Sequence, residues 1–277
     1  MPSNDVQPDI IDFYSRTYDE DARLRHQSDG RLEFLRTQEL LRRHLPAAPA
    51  RVLDVGGGTG VHAEWLAADG YQVHLIDPVA RHREQAAARG TFTVADGDAR
   101  ALGTPDHSYD AVLLLGPLYH LQRRADRIRA LGQAHRTVRP GGLVVAAAIS
   151  RHAPLLDAAA KGQVDARNQA QLARDLGAGE YDGSGGFTTA YFHTVAELRS
   201  EWADSGLGEA EVFGIEGPLW PTVKHLERAG LPVPPDLFDS ALCAARIVER
   251  DNSLLAASAH LLAVGSPDTG TGPHASR

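Results

Sequence analysis

Little in this chain could build a covalent or metal scaffold. Cys243 is the single cysteine among 277 residues, which excludes an internal disulfide and any multi-cysteine zinc site. The 13 histidines show neither an H-E-x-x-H pattern nor paired-carboxylate spacing, so no metal site is expected. Positive charge is in deficit. The formal net charge is −8, and a phosphate-rich partner such as nucleic acid would need a local basic patch that the sequence does not offer. The pairs Arg42-Arg43 and Arg123-Arg124 fall on predicted helices and read as solvated faces. Long apolar runs are missing too. Leu143 to Ile149, the longest, is far too short to cross a bilayer, and the polar start Met1-Pro2-Ser3-Asn4-Asp5 lacks a basic-then-apolar signal pattern. The expectation is a cytoplasmic protein, monomeric or homodimeric, with neither nucleic acid nor membrane as partner.

What is present suits one large domain, or one domain with an added lid. Hydrophobic residues make up 43%, ample for a buried core. The chain is organised around Arg51-Val52-Leu53-Asp54-Val55-Gly56-Gly57-Gly58-Thr59-Gly60. A short buried strand (Val52, Leu53, Val55) stops at a run of glycines. A helix-like stretch from Val61 follows, with Gly70 placed to end it. Glycines there permit backbone angles that other residues avoid, and they let a ligand lie against the main chain. The helix N-terminus beyond them offers unpaired N–H groups to a polar ligand.

Two cofactors fit that outline. Gly58-Thr59-Gly60-Val61-His62-Ala63 satisfies the loose G-x-G-x-x-G/A dinucleotide fingerprint, and Asp77 lies near the spacing of a ribose-binding acid. This is the basis for an alternative reading as an NAD(P)-dependent oxidoreductase. Asp54, a carboxylate at the strand end just ahead of the first glycine, favours the other. Asp54-x-Gly56-x-Gly58-x-Gly60 resembles the first signature of the class I S-adenosylmethionine-dependent methyltransferases, and the segments from Val52 to Ile149 follow in that family's order. The resemblance is specific for fold and cofactor, not for substrate.

Elsewhere, strands and helices alternate, as in a parallel sheet with helices on both faces. The resemblance makes this an α/β fold, a Rossmann-like seven-stranded mostly parallel sheet, with N-terminal helices and a lid inserted after strand five. Strands are expected at 71–76, 91–95, 110–115, 143–149, 209–215 and 257–264. Helices are expected at 10–18, 31–45, 79–89, 123–138, 194–205 and 236–250, with a polar break at 27–30. The organisation is then 1–50 as helices covering the cofactor site, 51–150 as the cofactor-binding core and 151–192 as the lid. Residues 193–265 complete the sheet and add pocket elements, and 266–277 form a disordered tail.

The resemblance also implies roles. S-adenosyl-L-methionine is the cofactor and S-adenosyl-L-homocysteine the product. Gly56, Gly58 and Gly60 form the loop beside Asp54. Asp77, followed by Pro78, receives the ribose hydroxyls; its plainer role is to cap a helix starting at Pro78. Asp98 and Ala99 meet the adenine, with Asp96 a competing choice. Leu115 opens the fourth-strand end, Leu115-Gly116-Pro117-Leu118-Tyr119-His120, which resembles methyltransferases acting on small molecules and lacks the Asn/Asp-Pro-Pro-aromatic run used on nucleobase or amide nitrogens. Arg31 could clamp the cofactor carboxylate, with Tyr14 or Tyr18 closing over it.

His120 is the general-base candidate, since histidine titrates near neutrality; Tyr18 stands beside it and Glu216 is the orienting acid. Tyr119, Tyr191, His193 and Trp220, with Phe192, are candidate substrate contacts, although an aromatic at the Tyr119 position is as often core and those after strand five are more often core than ligand. The expected reaction moves a methyl group to a small-molecule N, O or electron-rich C, such as an indole carbon, in specialised metabolism. A non-catalytic adaptor keeping the fold is a third reading, which the intact Asp54, glycine loop and Asp77 disfavour.

Overall fold

Four of the five residues of β1 (Arg51–Val55) are buried, as in a strand covered on both faces. It pairs in parallel with β2 (Gln72–Ile76), which carries β3 (Thr93–Ala95) beyond it. On its other side β1 pairs with β4 (Tyr109–Leu114), which carries β5 (Val138–Ile149). The computed structural model describes residues 20–183 and 188–267. Within it, β6 (Glu180–Tyr181) and β7 (Ala190–Tyr191) form a separate antiparallel hairpin, while β8 (Glu211–Gly214) and β9 (His260–Gly265) complete the main sheet. The strand order is β3-β2-β1-β4-β5-β9-β8, with β9 antiparallel to both neighbours. This is the seven-stranded, mostly parallel sheet expected.

Period-two alternation sends side chains to two cores. Leu53, Val55, Val112, Leu114, Val144 and Ala146 face one side, with Leu131 and Ala134 of α6 (Arg124–Thr137) and Leu198 and Trp202 of α9 (Val195–Asp204). Val52, Val73, Leu75, Leu113 and Val145 face the other. There they meet Leu40 and Leu41 of α2 (Ser28–His44) and Ala63 and Leu66 of α3 (Val61–Ala68). Helix α9 starts on a full capping box, Thr194 with Glu197.

Several sequence boundaries move. The polar break at 27–30 narrows to Gln27: α1 (Glu20–His26) ends, and α2 starts at Ser28. Gly30 sits inside α2 because a Cβ there would lie 2.2 Å from the Arg23 carbonyl oxygen. Helix α4 spans Ala80–Ala87, so Pro78 lies ahead of it. The turn expected at Pro140-Gly141-Gly142 falls inside the β5 pairing, where the register against β4 shifts. Helix α5 (Pro117–His120) is a single turn. After β5 the chain forms α7 (Ala153–Ala160) and α8 (Gln169–Ala178), then the β6–β7 hairpin. Helix α10 (Trp220–Arg228), unassigned from sequence, precedes α11 (Pro235–Val248). The expected helix at 10–18 lies outside the described residues, as do 268–277 of the expected tail.

Candidate active site

The switch point of the sheet lies between β1 and β4, where crossovers leave to opposite sides and a crevice opens at the strands' carboxyl ends. A cavity of about 390 Å³ occupies it. Gly56, Gly57, Gly58 and Thr59 form one wall. Gly56, Gly58 and Gly60 all have positive φ, and a Cβ at Gly56 (φ +67°) would come within 2.8 Å of Pro117 Cγ. The loop therefore packs glycine backbone directly against the start of α5.

Asp54 is buried at the cavity wall, and its Oδ2 has no hydrogen-bond partner among the described residues. Burial, with the nearby Asp77 carboxylate adding to it, pushes its pKa up to about 7. Asp77 accepts the Gly58 N–H at 2.9 Å and the Val79 N–H at 2.8 Å, with His82 Nδ1 at 3.3 Å. It braces the glycine loop and the turn into α4 while lining the cavity. Pro78, Ala99 and Leu115 line it too. Asp98 belongs to the wall and is gripped by Arg100 through Nε and Nη2, the latter at 2.6 Å. Asp96 is 74% exposed and pairs with Arg83, off the cavity wall to which Asp98 belongs.

At the β4 end, Tyr119 and His120 line the cavity, their rings 4.7 Å apart. Glu33 and His62 close this end with Leu24. Trp65 Nε1 donates to His62 Nδ1 at 3.2 Å, and burial holds His62 down at about 4. Glu33 meets Arg23 at 2.7 Å. Burial alone would raise its carboxyl, but Arg23 and His260 outweigh that and hold it at about 2.

Other expected site residues stand elsewhere. Tyr14 and Tyr18 lie outside the described residues. Arg31 is exposed and stacks on Phe238, 5.0 Å from the ring centre, away from the cavity wall. Trp220 is core, packed with Leu32, Ala153 and Val223, and its Nε1 donates to the Ala257 carbonyl. Tyr191 lies over the Arg127 guanidinium, 3.6 Å from the ring centre, and its hydroxyl meets Glu197 and Arg151. His193 is fully buried against Glu201 at 3.1 Å. None of these four lines the cavity. Each satisfied a local pattern, but packing places Trp220 in the core, Tyr191 and His193 in an ion-pair network and Arg31 on the surface.

Glu216 does not line the cavity and meets His260, not His120. Its carboxylate meets His260 Nδ1 and accepts from Ser258 Oγ and the His260 N–H. Sequence reading missed Glu33, His62, Arg100 and His260. Glu33 and His260 come together across more than 200 positions, a pairing that no local spacing reports. The nearest sequence signal was Glu33 itself, a charge beside Phe34 on a predicted amphipathic helix.

Fold and loop together resemble the core of the class I S-adenosylmethionine-dependent methyltransferases. Residues 52–142 match the family model described as a methyltransferase domain, and that segment is one. The chain is 37% identical over 111 residues to a ubiquinone biosynthesis O-methyltransferase of Methylocella silvestris, covering 38% of this chain and 42% of that protein. An uncharacterized methyltransferase of Mycobacterium bovis is 37% identical over 99 residues, 35% of this chain and 39% of that one. The chain thus aligns with about two fifths of these relatives' length. A solved structure from Thermotoga maritima, a SAM-dependent methyltransferase described as a possible histamine N-methyltransferase, shares the fold over 94% of this chain and 98% of its own. The TM-score is 0.59 and the identity 20%.

The residues present fit S-adenosylmethionine, the cofactor of this class. A buried carboxylate oxygen on Asp54 without a partner among the described residues, a glycine wall and Asp77 at the β2 end surround one cavity. In that wall a Cβ at Gly56 or Gly57 would collide with Pro117 or with Asp54 and Leu75.

Proposed function

We propose that this protein transfers a methyl group from S-adenosylmethionine to a small-molecule acceptor. The observation that carries this reading is the single cavity shared by the glycine loop, Asp54, Asp77 and Asp98 at one end and Tyr119, His120 and Glu33 at the other. When bound, the cofactor supplies a methyl carbon activated by its sulfonium. The glycine loop and Asp54 would hold its amino-acid end, Asp77 its ribose, and Asp98 with Ala99 its adenine. Leu115, Tyr119 and His120 border the space beyond, where the chain's task is to align an acceptor and exclude water. A chamber of this volume suits a compact molecule, and the net charge of −8 disfavours nucleic acid. Among the described residues no helix is long and apolar enough to cross a membrane. This reading keeps the acceptor in the cytoplasm and in specialised metabolism.

Calorimetry with S-adenosylmethionine and S-adenosylhomocysteine tests the first half: both should release or absorb heat on binding, and silence with both would overturn the reading. Incubation with methyl-labelled cofactor and extracts of the source organism tests the second. One labelled small product is expected, and label confined to nucleic acid or protein would contradict it.

A further inference from the structure

His62 and Trp65 stand three positions apart in α3 and share one side of that helix. An indole N–H can only donate, and that of Trp65 donates to His62 Nδ1 at 3.2 Å. Nδ1 must therefore carry a lone pair. Burial lowers the imidazole pKa to about 4, so at neutral pH the ring is uncharged and its one proton sits on Nε2. Phe34, its ring centre 5.2 Å away, packs beside the imidazole. Trp65 fixes the tautomer, and the two neighbouring rings fix the orientation. His62 lines the cavity, and its Nε2–H has no hydrogen-bond partner among the described residues.

Glu33, on α2, is the complementary group. Its side chain lines the same cavity and is 16% exposed. Arg23 meets Oε2 at 2.7 Å, and His260 Nδ1 approaches that same oxygen at 3.7 Å. Among the described residues Oε1 is left as an unused acceptor. The two side chains are near enough for each to shift the proton affinity of the other. One end of the cavity therefore presents a neutral donor beside an anionic acceptor. Behind them the charges balance. Burial would lower the pKa of His260, but Glu33 and Glu216 push it up to about 9. Arg23 and the His260 imidazolium then answer the two carboxylates. A ligand at this end meets hydrogen-bonding groups without an excess charge of either sign, flanked by the rings of Tyr119 and His120.

Resting on the methyltransferase reading, we propose that His62 and Glu33 are the specificity-determining pair for the methyl acceptor, and that they select an uncharged, planar lactam. Its carbonyl oxygen accepts from His62 Nε2–H, and its neighbouring N–H donates to Glu33 Oε1. A hydroxyl placed beside a carbonyl closes an internal hydrogen bond instead, whereas the cis amide offers both groups outward. An ammonium ion has no acceptor for His62 and brings a third cation to a balanced site. A carboxylate has no donor for Glu33 and is repelled by it. Each mismatch strands a polar group away from water, which is the source of the discrimination. Trp65, which touches the imidazole and not the acceptor, is a positioning residue.

The test titrates 2-quinolone, a planar lactam, into the full-length protein saturated with S-adenosylhomocysteine and reads affinity by calorimetry. 2-Quinolone should bind about tenfold tighter than N-methyl-2-quinolone, which keeps the carbonyl and lacks the N–H. His62→Asn leaves an oxygen that can receive the Trp65 N–H but removes the Nε2 donor; it should weaken 2-quinolone about tenfold. Glu33→Gln should shrink the preference for 2-quinolone over its N-methyl form several-fold. Imidazole NMR should show His62 as the Nε2–H tautomer at neutral pH. Equal or absent binding of 2-quinolone and its N-methyl form would overturn the proposal, as would tighter binding of benzylammonium or benzoate. An equal loss of S-adenosylhomocysteine affinity in His62→Asn would assign the pair to the cofactor and also refute it. Failure of the wild-type protein to bind S-adenosylhomocysteine would instead overturn the methyltransferase reading beneath it.

Discussion

Arg127 and Glu201, each 1% exposed, face one another across three nitrogen–oxygen contacts of 2.6 to 3.1 Å. The remaining guanidinium nitrogen donates to the carbonyls of Leu121 and Gln122, both on the cavity wall. The pair thus holds one side of the cavity from behind. Arg127→Leu should cost about 3–5 kcal/mol because it strands a buried carboxylate. Adding Glu201→Leu should recover part of the loss. Denaturant unfolding of both variants measures this; a double variant weaker than the single would contradict it.

Asp77 should matter to ligand and fold together. Removing its carboxylate leaves the Gly58 and Val79 N–H groups without their acceptor, at about 1–3 kcal/mol for each one kept from water. Asp77→Ala is expected to weaken S-adenosylhomocysteine binding at least tenfold, while Asp77→Asn keeps one acceptor oxygen and more of the stability. Calorimetry and thermal unfolding separate the two losses.

The Asp54 carboxyl gives stability a pH dependence of unusual sign for an acid. Folded, it keeps its proton to about 7; unfolded, it loses it near 3.8. The folded state therefore binds more protons between those values, and the contribution of Asp54 declines as pH rises through that window, by about 4 kcal/mol at most. Asp54→Asn should flatten this slope. Unfolding free energies measured from acid to neutral pH would show it, and an equally steep slope in the variant would remove Asp54 as its source.

Gly56→Ala combines a disfavoured φ with a collision against Pro117. Strain of this kind costs about 1–3 kcal/mol, and relief requires the loop to draw away from α5. A lower melting temperature with weaker cofactor binding is expected. An unchanged affinity would mean the loop tolerates the shift.

The core of this chain was legible because its signals are local. Asp54, the glycine run and Asp77 sit within 24 consecutive positions, and the buried strands announce themselves by apolar runs bounded by turn residues. The Thr194–Glu197 cap likewise places α9 to within a residue. The cluster of Glu33, Glu216 and His260 was not legible, since it is assembled from α2, β9 and the segment after β8, elements brought together by the sheet order. Local chemistry could nominate Glu216 as the partner of a histidine, but only the antiparallel entry of β9 beside β5 shows that the histidine it meets is His260. Tyr191 and His193 misled for the converse reason. Their ring and imidazole chemistry is real, but Arg127 and Glu201 absorb it.

Gln122, on the cavity wall, donates its side-chain amide to the main-chain carbonyl of Tyr181 at 3.2 Å, so the β6–β7 hairpin hangs from the cavity by its backbone. A peptide oxygen stands at position 181 whatever residue evolution puts there. The side chain at position 181 can therefore be exchanged without unhooking the hairpin from the rim.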